Sequence, residues 1–376
     1  MMKTKKRPEL ISLPGIGDLA LSGVRPLIGI FLGLLAGAGL IALSGVNPVE
    51  AYIAMLKGAF GSPQAFSNVL VRASPLLLGG VGVAIGIKAG VWNIGIEGYM
   101  YAGAIGAAVV GITTLPVSPI IHITLSILAA AVFAVIWGLG PAYLRAFRGV
   151  NEVVATIMMN YVAIFFTSWL VHEPQFMAEP GSFFPMSKII VPTARLPILM
   201  SGTSLHPGFI IGIAACILFY LVIRYTPFGI RTRMVGSNPE AARYAGVNVR
   251  RQILYVFVIG ALMGGLAGAI EIIGLKQRVY MDFVSGVGYE SVAVALLAGG
   301  NPIGVIASAI FFSALKAGGA TMSIQTGVGG PMTVVIIALC VLFVIAVGYG
   351  ERKRLERGSR EEKEGDEGRE AQQYGS

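Results

Sequence analysis

The sequence has little charge. Asp, Glu, Lys and Arg make up 12% of its 376 residues, about half the share of a soluble globular domain. Hydrophobic residues make up 55%, and the mean hydropathy is +0.77. A soluble globule is excluded on that balance. Cysteine is scarce too. Cys216 and Cys340 both lie inside apolar runs, which argues against a disulfide framework or a cysteine metal cluster and for buried, inert thiols. With three histidines, no Ser/His/Asp set can be assembled. His172-Glu173 lacks the second histidine of a zinc-protease motif. The phosphate-cradling pattern G-x-x-x-x-G-K-[ST] is also missing, so the chain is expected to bind no ATP in that way and to carry no cofactor of its own.

What the chain has in quantity is long apolar runs. "RPLIGIFLGLLAGAGLIAL" (Arg25 to Leu43) reaches the ~20 residues that a bilayer crossing requires. Candidate spans follow at 25–44, 69–87, 94–112, 120–140, 152–171, 207–224, 252–274, 289–300, 302–319 and 331–349. The fold class is therefore an all-α polytopic membrane protein with about ten spans. A membrane β-barrel would show short alternating segments instead. The span at 289–300 is too short to cross alone, and Asn301-Pro302 interrupts it, so a broken or re-entrant helix pair is expected there. "GALMGGLAGAI" places Gly260, Gly264 and Gly268 at four-residue spacing, which lets helices approach closely.

Lys and Arg set the orientation. With the N-terminus inside, 21 of the 28 fall on inner segments, and 14 against 7 do so without the C-terminal tail. Both termini are thus expected in the cytoplasm. Residues 1–24 read as a basic cytoplasmic segment rather than a cleavable signal, 25–349 as the membrane domain, and 350–376 as a charged, disordered cytoplasmic tail. The net charge of +9 reflects basic inner loops and implies no nucleic-acid partner. The longest outer loop, 172–206, could meet an extracellular partner or lie as a lid over the helices.

One cytoplasmic stretch departs from this pattern. In "VGSNPEAARYAGVNVRR" (Val235 to Arg251), Asn238 suits a helix N-cap, Pro239 the first helical position, and Glu240 the positive helix end. Ala241, Ala242 and Arg243 continue a helix that Gly246 can end in a left-handed turn. The loop 225–251 thus presents a short, independently capped helix. It could dock a cytoplasmic partner, or it could lie among the lipid headgroups.

Ionisable and amide groups within apolar runs mark candidate pathway positions. "WNIGIEGY" brings together Trp92, Asn93, Glu97 and Tyr99. Asn93 and Glu97 share a face if the segment is helical. The carboxylate could accept ribose hydroxyls or base N–H groups, with Trp92 and Tyr99 as stacking surfaces. Alternatively, Glu97 joins two helices through buried hydrogen bonds. Asn151, Glu152, the mid-span Asn160 and Tyr161 form a second polar set; Asn160 could line a path or bond a neighbouring helix. Glu290 and Asn301 flank the expected break.

"TPFGIRTRMVGSNPEAARYAGVNVRR" resembles the coupling-loop signature of bacterial ATP-binding-cassette (ABC) importer permeases of the ribose and branched-chain amino-acid type. "GVWNIGIEGYMYAGAIGA" (Gly90 to Ala107) is similar to the N-I-G-x-E-G signature of that family, and "GVGYESVAVALLAGGNPIG" (Gly286 to Gly304) to its broken-helix region. Together with "NEVVATIMMNY" (Asn151 to Tyr161), these stretches look closest to the nucleoside-importing branch. The resemblance covers residues 25–349. It implies a permease of the bacterial cytoplasmic membrane, embedded in the lipid bilayer and paired with a second homologous permease. It also implies a separate ATPase that docks at Asn238, Pro239, Glu240, Ala241, Ala242, Arg243 and Gly246, and an extracytoplasmic lipoprotein that delivers a nucleoside. Simple sugars and branched-chain amino acids are rival solutes, an ion-coupled secondary transporter is a rival mechanism, and a membrane enzyme or scaffold is a third class.

Overall fold

The computed structural model describes residues 16–173 and 175–347, with side chains from residue 27 onward. The expected tail 350–376 and the first fifteen residues lie outside the described residues. The helices are α1 (Ile16–Leu43), α2 (Pro48–Phe60), α3 (Pro63–Lys88), α4 (Ile96–Gly111), α5 (Pro119–Arg148), α6 (Glu152–His172), α7 (Gly208–Tyr225), α8 (Pro227–Ser237), α9 (Pro239–Tyr244), α10 (Val249–Ile270), α11 (Val287–Leu297), α12 (Pro302–Thr326) and α13 (Pro331–Val347). A π-helical turn, Glu271–Lys276, prolongs α10. Five helices begin on one local signal, a polar cap followed by proline. Asn47, Ser62, Thr226, Asn238 and Asn301 each accept a backbone N–H of the first turn, with proline next in the chain. The cap satisfies an orphan donor, and the proline lacks the N–H that would otherwise be wasted.

Six of the described helices are long and apolar enough to cross a membrane, or up to seven with the broken pair Leu27–Leu43 and Pro48–Phe60. The expected ten spans therefore reduce by length. The runs at 94–112, 289–300 and 331–349 contain the shorter helices α4, α11 and α13. Hydropathy counts apolar residues without asking whether one continuous helix carries them. The helix α2 was not among the expected spans; Glu50 and Lys57 lower its hydropathy.

The chain forms two compact units, one of them residues 46–333. In the other, Gly29 and Gly33 of α1 lie against Val344 and Cys340 of α13.

Within residues 46–333, α4 occupies the core, with nearly every residue buried between α5, α6, α10 and α11. The glycine stripe of α10 makes that seat. A Cβ on Gly264 would stand 2.7 Å from Cβ of Tyr99, and one on Gly268 would strike the Met100 carbonyl of α4. On α5, Ser126, Ala130, Ala134, Gly138, Ala142 and Ala146 recur every fourth residue and are buried. Ile120, Leu128, Val132 and Ile136 on its other side are exposed, the pattern of a helix with a small-residue packing face and an apolar lipid face.

Two of the core helices do not cross the bundle. After α3 the chain turns at Gly90 (φ +68°) and doubles back, with Val91 donating to the Gly86 carbonyl at 2.9 Å. Helix α4 then starts with Ile96 packed beside Gly79 and Gly82 of α3, about 12 Å short of the end of α3 at 1.5 Å per residue. Helix α11 starts at the same depth, with Gly288 against Glu97, and ends where Gly300 meets Ile87 of α3. The two half-helices run to opposite ends from N-termini that meet in the middle. The expected break is thus present, closed at Gly299 (φ +60°), Gly300 (φ +67°) and the Asn301 cap.

Candidate functional site

A helix that begins inside a membrane leaves its first N–H groups without water. Side chains from neighbouring elements satisfy them here. Glu97, buried in α4, accepts from Gly286 N at 3.0 Å through Oε1 and from Gly288 N at 2.7 Å through Oε2, so it caps α11. Asn160, fully buried in α6, accepts from Gly98 N at 2.9 Å and so caps α4. Its Nδ2 donates to the Ile94 carbonyl at 2.9 Å and contacts the Tyr289 hydroxyl at 3.3 Å. Asn93 Oδ1 accepts from Gly95 N and from the Tyr99 hydroxyl. The structure thus joins Asn93, Glu97, Tyr99 and Asn160 into one polar waist. Of the two readings open for Glu97, the geometry is that of a buried hydrogen-bonded bridge between helices. The stacking role expected of Tyr99 is not available in this conformation: its ring is 1% exposed and packed against Gly138 and Gly264.

Trp92 stands apart, 48% exposed at the end of the bundle that carries Lys88. Its backbone N–H donates to Glu152 Oε1 at 3.3 Å, and Glu152 Oε2 pairs with Arg145 at 3.1 Å. Glu152 therefore ties α5, α6 and the re-entrant strand of chain together. Asn151 and Asn301 serve as N-caps of α6 and α12.

Glu290 belongs to a different place, a cavity of about 390 Å³ among α3, the π-helical turn, the segment 277–286, α11 and α12. Two ion pairs frame it. Lys316 meets Glu290 at 2.6 Å, and Lys276 meets Glu271 at 3.3 Å. Lys276 also bonds the Phe283 carbonyl and rests 5.8 Å from the ring centre of Tyr280. Arg72 lines the cavity without a carboxylate partner among the described residues. Sequence reasoning concentrated on carboxylates and missed Arg72 and Lys316. The signal was present, since both are lone cations within expected spans. The loop 175–206 lies over this end as a lid. Ser187 N donates to the Val279 carbonyl at 2.7 Å and Ile190 N to the Gln277 carbonyl at 2.9 Å. Buried His206, at the base of the lid, accepts from Gly208 N through Nδ1, and burial pushes its pKa down to about 4.

The expected capped helix is α9. Asn238 Oδ1 accepts from Glu240 N at 2.9 Å and Ala241 N at 3.0 Å, and Gly246 ends the helix at φ +81°. Asn238, Pro239, Glu240, Ala241, Arg243 and Gly246 are exposed, and only Ala242 is buried. Tyr244, which sequence reasoning passed over, is 95% exposed. A groove of about 500 Å³ lies between α8 and α9, lined by Ile230, Arg233, Met234, Ser237 and Ala241. The element is anchored from behind. Gln252 Nε2 donates to Thr232 Oγ1 at 2.7 Å, and Gly236 of α8 rests on the backbone of Lys88 and Gly90. Arg224, Arg231, Arg233, Arg243, Arg250 and Arg251 belong to this region.

Residues 65–347 match the family described as "Branched-chain amino acid transport system / permease component". The guanosine ABC transporter permease protein NupP of Bacillus subtilis is 33% identical over 85% of this chain and 92% of its own. The glucose ABC transporter permease protein TsgB13 of Haloferax volcanii is 33% identical over 88% and 89%. The nucleoside ABC transporter permease protein NupB of Lactococcus lactis is 30% identical over 86% and 90%. In Bacillus subtilis and Lactococcus lactis a second permease named for the same solute also matches. No solved structure matches. A many-helix membrane bundle with two facing half-helices and an exposed, capped helix at its basic end, matched over most of its length by permeases, thus belongs to the branched-chain amino acid transport system permease family, as the membrane subunit of an ABC importer.

Proposed function

We propose that the chain imports nucleosides across the bacterial cytoplasmic membrane with both termini in the cytoplasm, driven by ATP hydrolysis on a separate subunit. It works beside a second, homologous permease and receives its solute from an extracytoplasmic lipoprotein. The observation that carries the coupling is α9, a six-residue helix that is exposed, capped at both ends and braced from behind. Its groove with α8 and its protruding Tyr244 suit a protein cleft better than a headgroup layer, because Asn238 and Gly246 fix a shape that lipid has no need to read. Pressure on α9 reaches α8, then through Gly236 the backbone of Lys88 and Gly90, and so the re-entrant segment that leads to Glu97. On this reading Asn93, Glu97, Tyr99 and Asn160 hold the two half-helices that flank the path. Trp92, Asn151, Glu152 and Asn301 shape its cytoplasmic end, and Glu290 faces the solute.

Two of the three relatives above are named for nucleosides or guanosine, which favours that solute. The glucose permease, matched at 33% identity, favours a second reading, simple sugars. Uptake of labelled guanosine, with glucose, ribose and leucine in parallel, tests the choice in cells lacking this chain and in cells with it restored. Guanosine uptake alone should be lost and recovered. Dependence of glucose or ribose uptake on the chain would replace the nucleoside reading with the sugar one. Dependence on the proton gradient at constant ATP would overturn the coupling.

A further inference from the structure

The cavity beside α11 contains polar atoms that the fold leaves unused. Ser313 is fully buried, and its Oγ has no hydrogen-bond partner. Glu290 engages Lys316 through Oε1, while its buried Oε2 has none. Both residues line the cavity. A buried acceptor or hydroxyl without a partner is costly and uncommon in a settled structure, and two at the wall of one cavity point to a ligand that supplies the missing bonds. The volume lies within the range of small-molecule sites.

We propose that this cavity is the transit site where the permease itself holds its solute, with Glu290 Oε2 accepting from, and Ser313 Oγ donating to, the ribose 2′-hydroxyl of an uncharged ribonucleoside and Tyr280 covering its base. The proposal rests on the nucleoside reading above and names the groups that would implement it. Each carboxylate on the wall already has its lysine, so the one net charge of the wall is that of Arg72, which suits the electron-rich edge of a base. Arg72 remains, with two parallel N–H donors free for a carbonyl and a ring nitrogen on a base edge. Tyr280 is partly exposed and steadied by Lys276, so it can present a flat face without first being ordered. The site is held between two elements: α11, which starts on Glu97 of α4, and α12, which carries Ser313 and Lys316. Displacement of α11 would separate Glu290 from Ser313 and release the solute.

The test uses the full transporter in cells with no other nucleoside importer, and compares maximal uptake rates of guanosine and 2′-deoxyguanosine. At saturating solute the external binding component is fully loaded, so the rate reports the permease. Ser313→Ala, and Glu290→Gln together with Lys316→Met to leave the net charge of the site unchanged, should each slow guanosine roughly tenfold, the size of one hydrogen bond to a charged or buried group. The same variants should leave 2′-deoxyguanosine within about twofold. A general packing defect would slow both solutes in parallel, and that outcome overturns the proposal, as would unchanged rates for both. If the unmodified protein imports no nucleoside, the nucleoside reading itself fails, which is a separate result.

Discussion

Replacing Glu97 by alanine tests whether this carboxylate is the cap that lets α11 begin inside the membrane. The side chain is 2% exposed and accepts two backbone N–H groups, at 3.0 and 2.7 Å. Alanine would leave both donors buried without partners, at about 1–3 kcal/mol each, so the start of α11 should lose about 2–6 kcal/mol. Glutamine retains one acceptor oxygen but turns an amide group toward the other N–H, so it should lose about half as much. Hydrogen–deuterium exchange on the purified permease in lipid discs reads this directly. The amides of residues 286–290 should exchange roughly 30-fold faster in Glu97→Ala, corresponding to the lower end of that range. Those of α5 should not change. If exchange at 286–290 were the same in the alanine variant as in the parent, the cap would not be holding α11, and the account of the waist would be wrong.

Gly288→Ala should act on the same joint from the other side, because its Cβ would strike the Glu97 backbone and stand 2.7 Å from Oε2; a loss of about 1–3 kcal/mol in thermal stability is expected. Asn238→Ala removes the cap of α9 at a cost of about 1 kcal/mol, so ATP-driven uptake should fall while the melting temperature of the whole protein barely moves. Glu240→Lys should likewise lower uptake in a permease that still inserts at normal levels. Buried His206 must stay neutral to accept from Gly208, with its pKa held near 4 against about 6.5 in the unfolded chain. Resistance to heat should therefore decline as pH falls from about 6.5 toward 4, and His206→Gln should flatten that slope. Gly264→Leu drives a side chain into Tyr99 and should abolish recovery of folded protein, as judged by gel filtration.

Composition and hydropathy made the helical membrane class legible, and local chemistry made α9 legible to the residue. Asn238, Pro239 and Gly246 act through groups near in sequence, so their roles can be read off the string. The break at Asn301-Pro302 was legible for the same reason. The waist was not. Glu97 is bonded to residues almost two hundred positions away, and nothing near it in sequence shows that its partners are the amides of Gly286 and Gly288. Distance also hid the cavity, whose wall gathers residues from Asn68 to Lys316. The placement of Tyr99 was not legible either, because a tyrosine near a carboxylate gives no local sign of whether its ring faces a passage or a glycine. The count of ten spans is not confirmed, because apolar runs persist through α4 and α11 while the helices they form stop halfway.

That halfway meeting bears on leakage. Each helix N-terminus carries the equivalent of about half a positive elementary charge, and two of them face each other at mid-depth. Left bare, they would make a positive spot that draws chloride into the passage and sets up a conductance each time the transporter opens. Glu97 places one carboxylate between them, which balances the pair to near zero. On the path proposed above, a neutral solute crosses a waist with little net field, and small ions of either sign have no electrostatic reason to leave water and follow it.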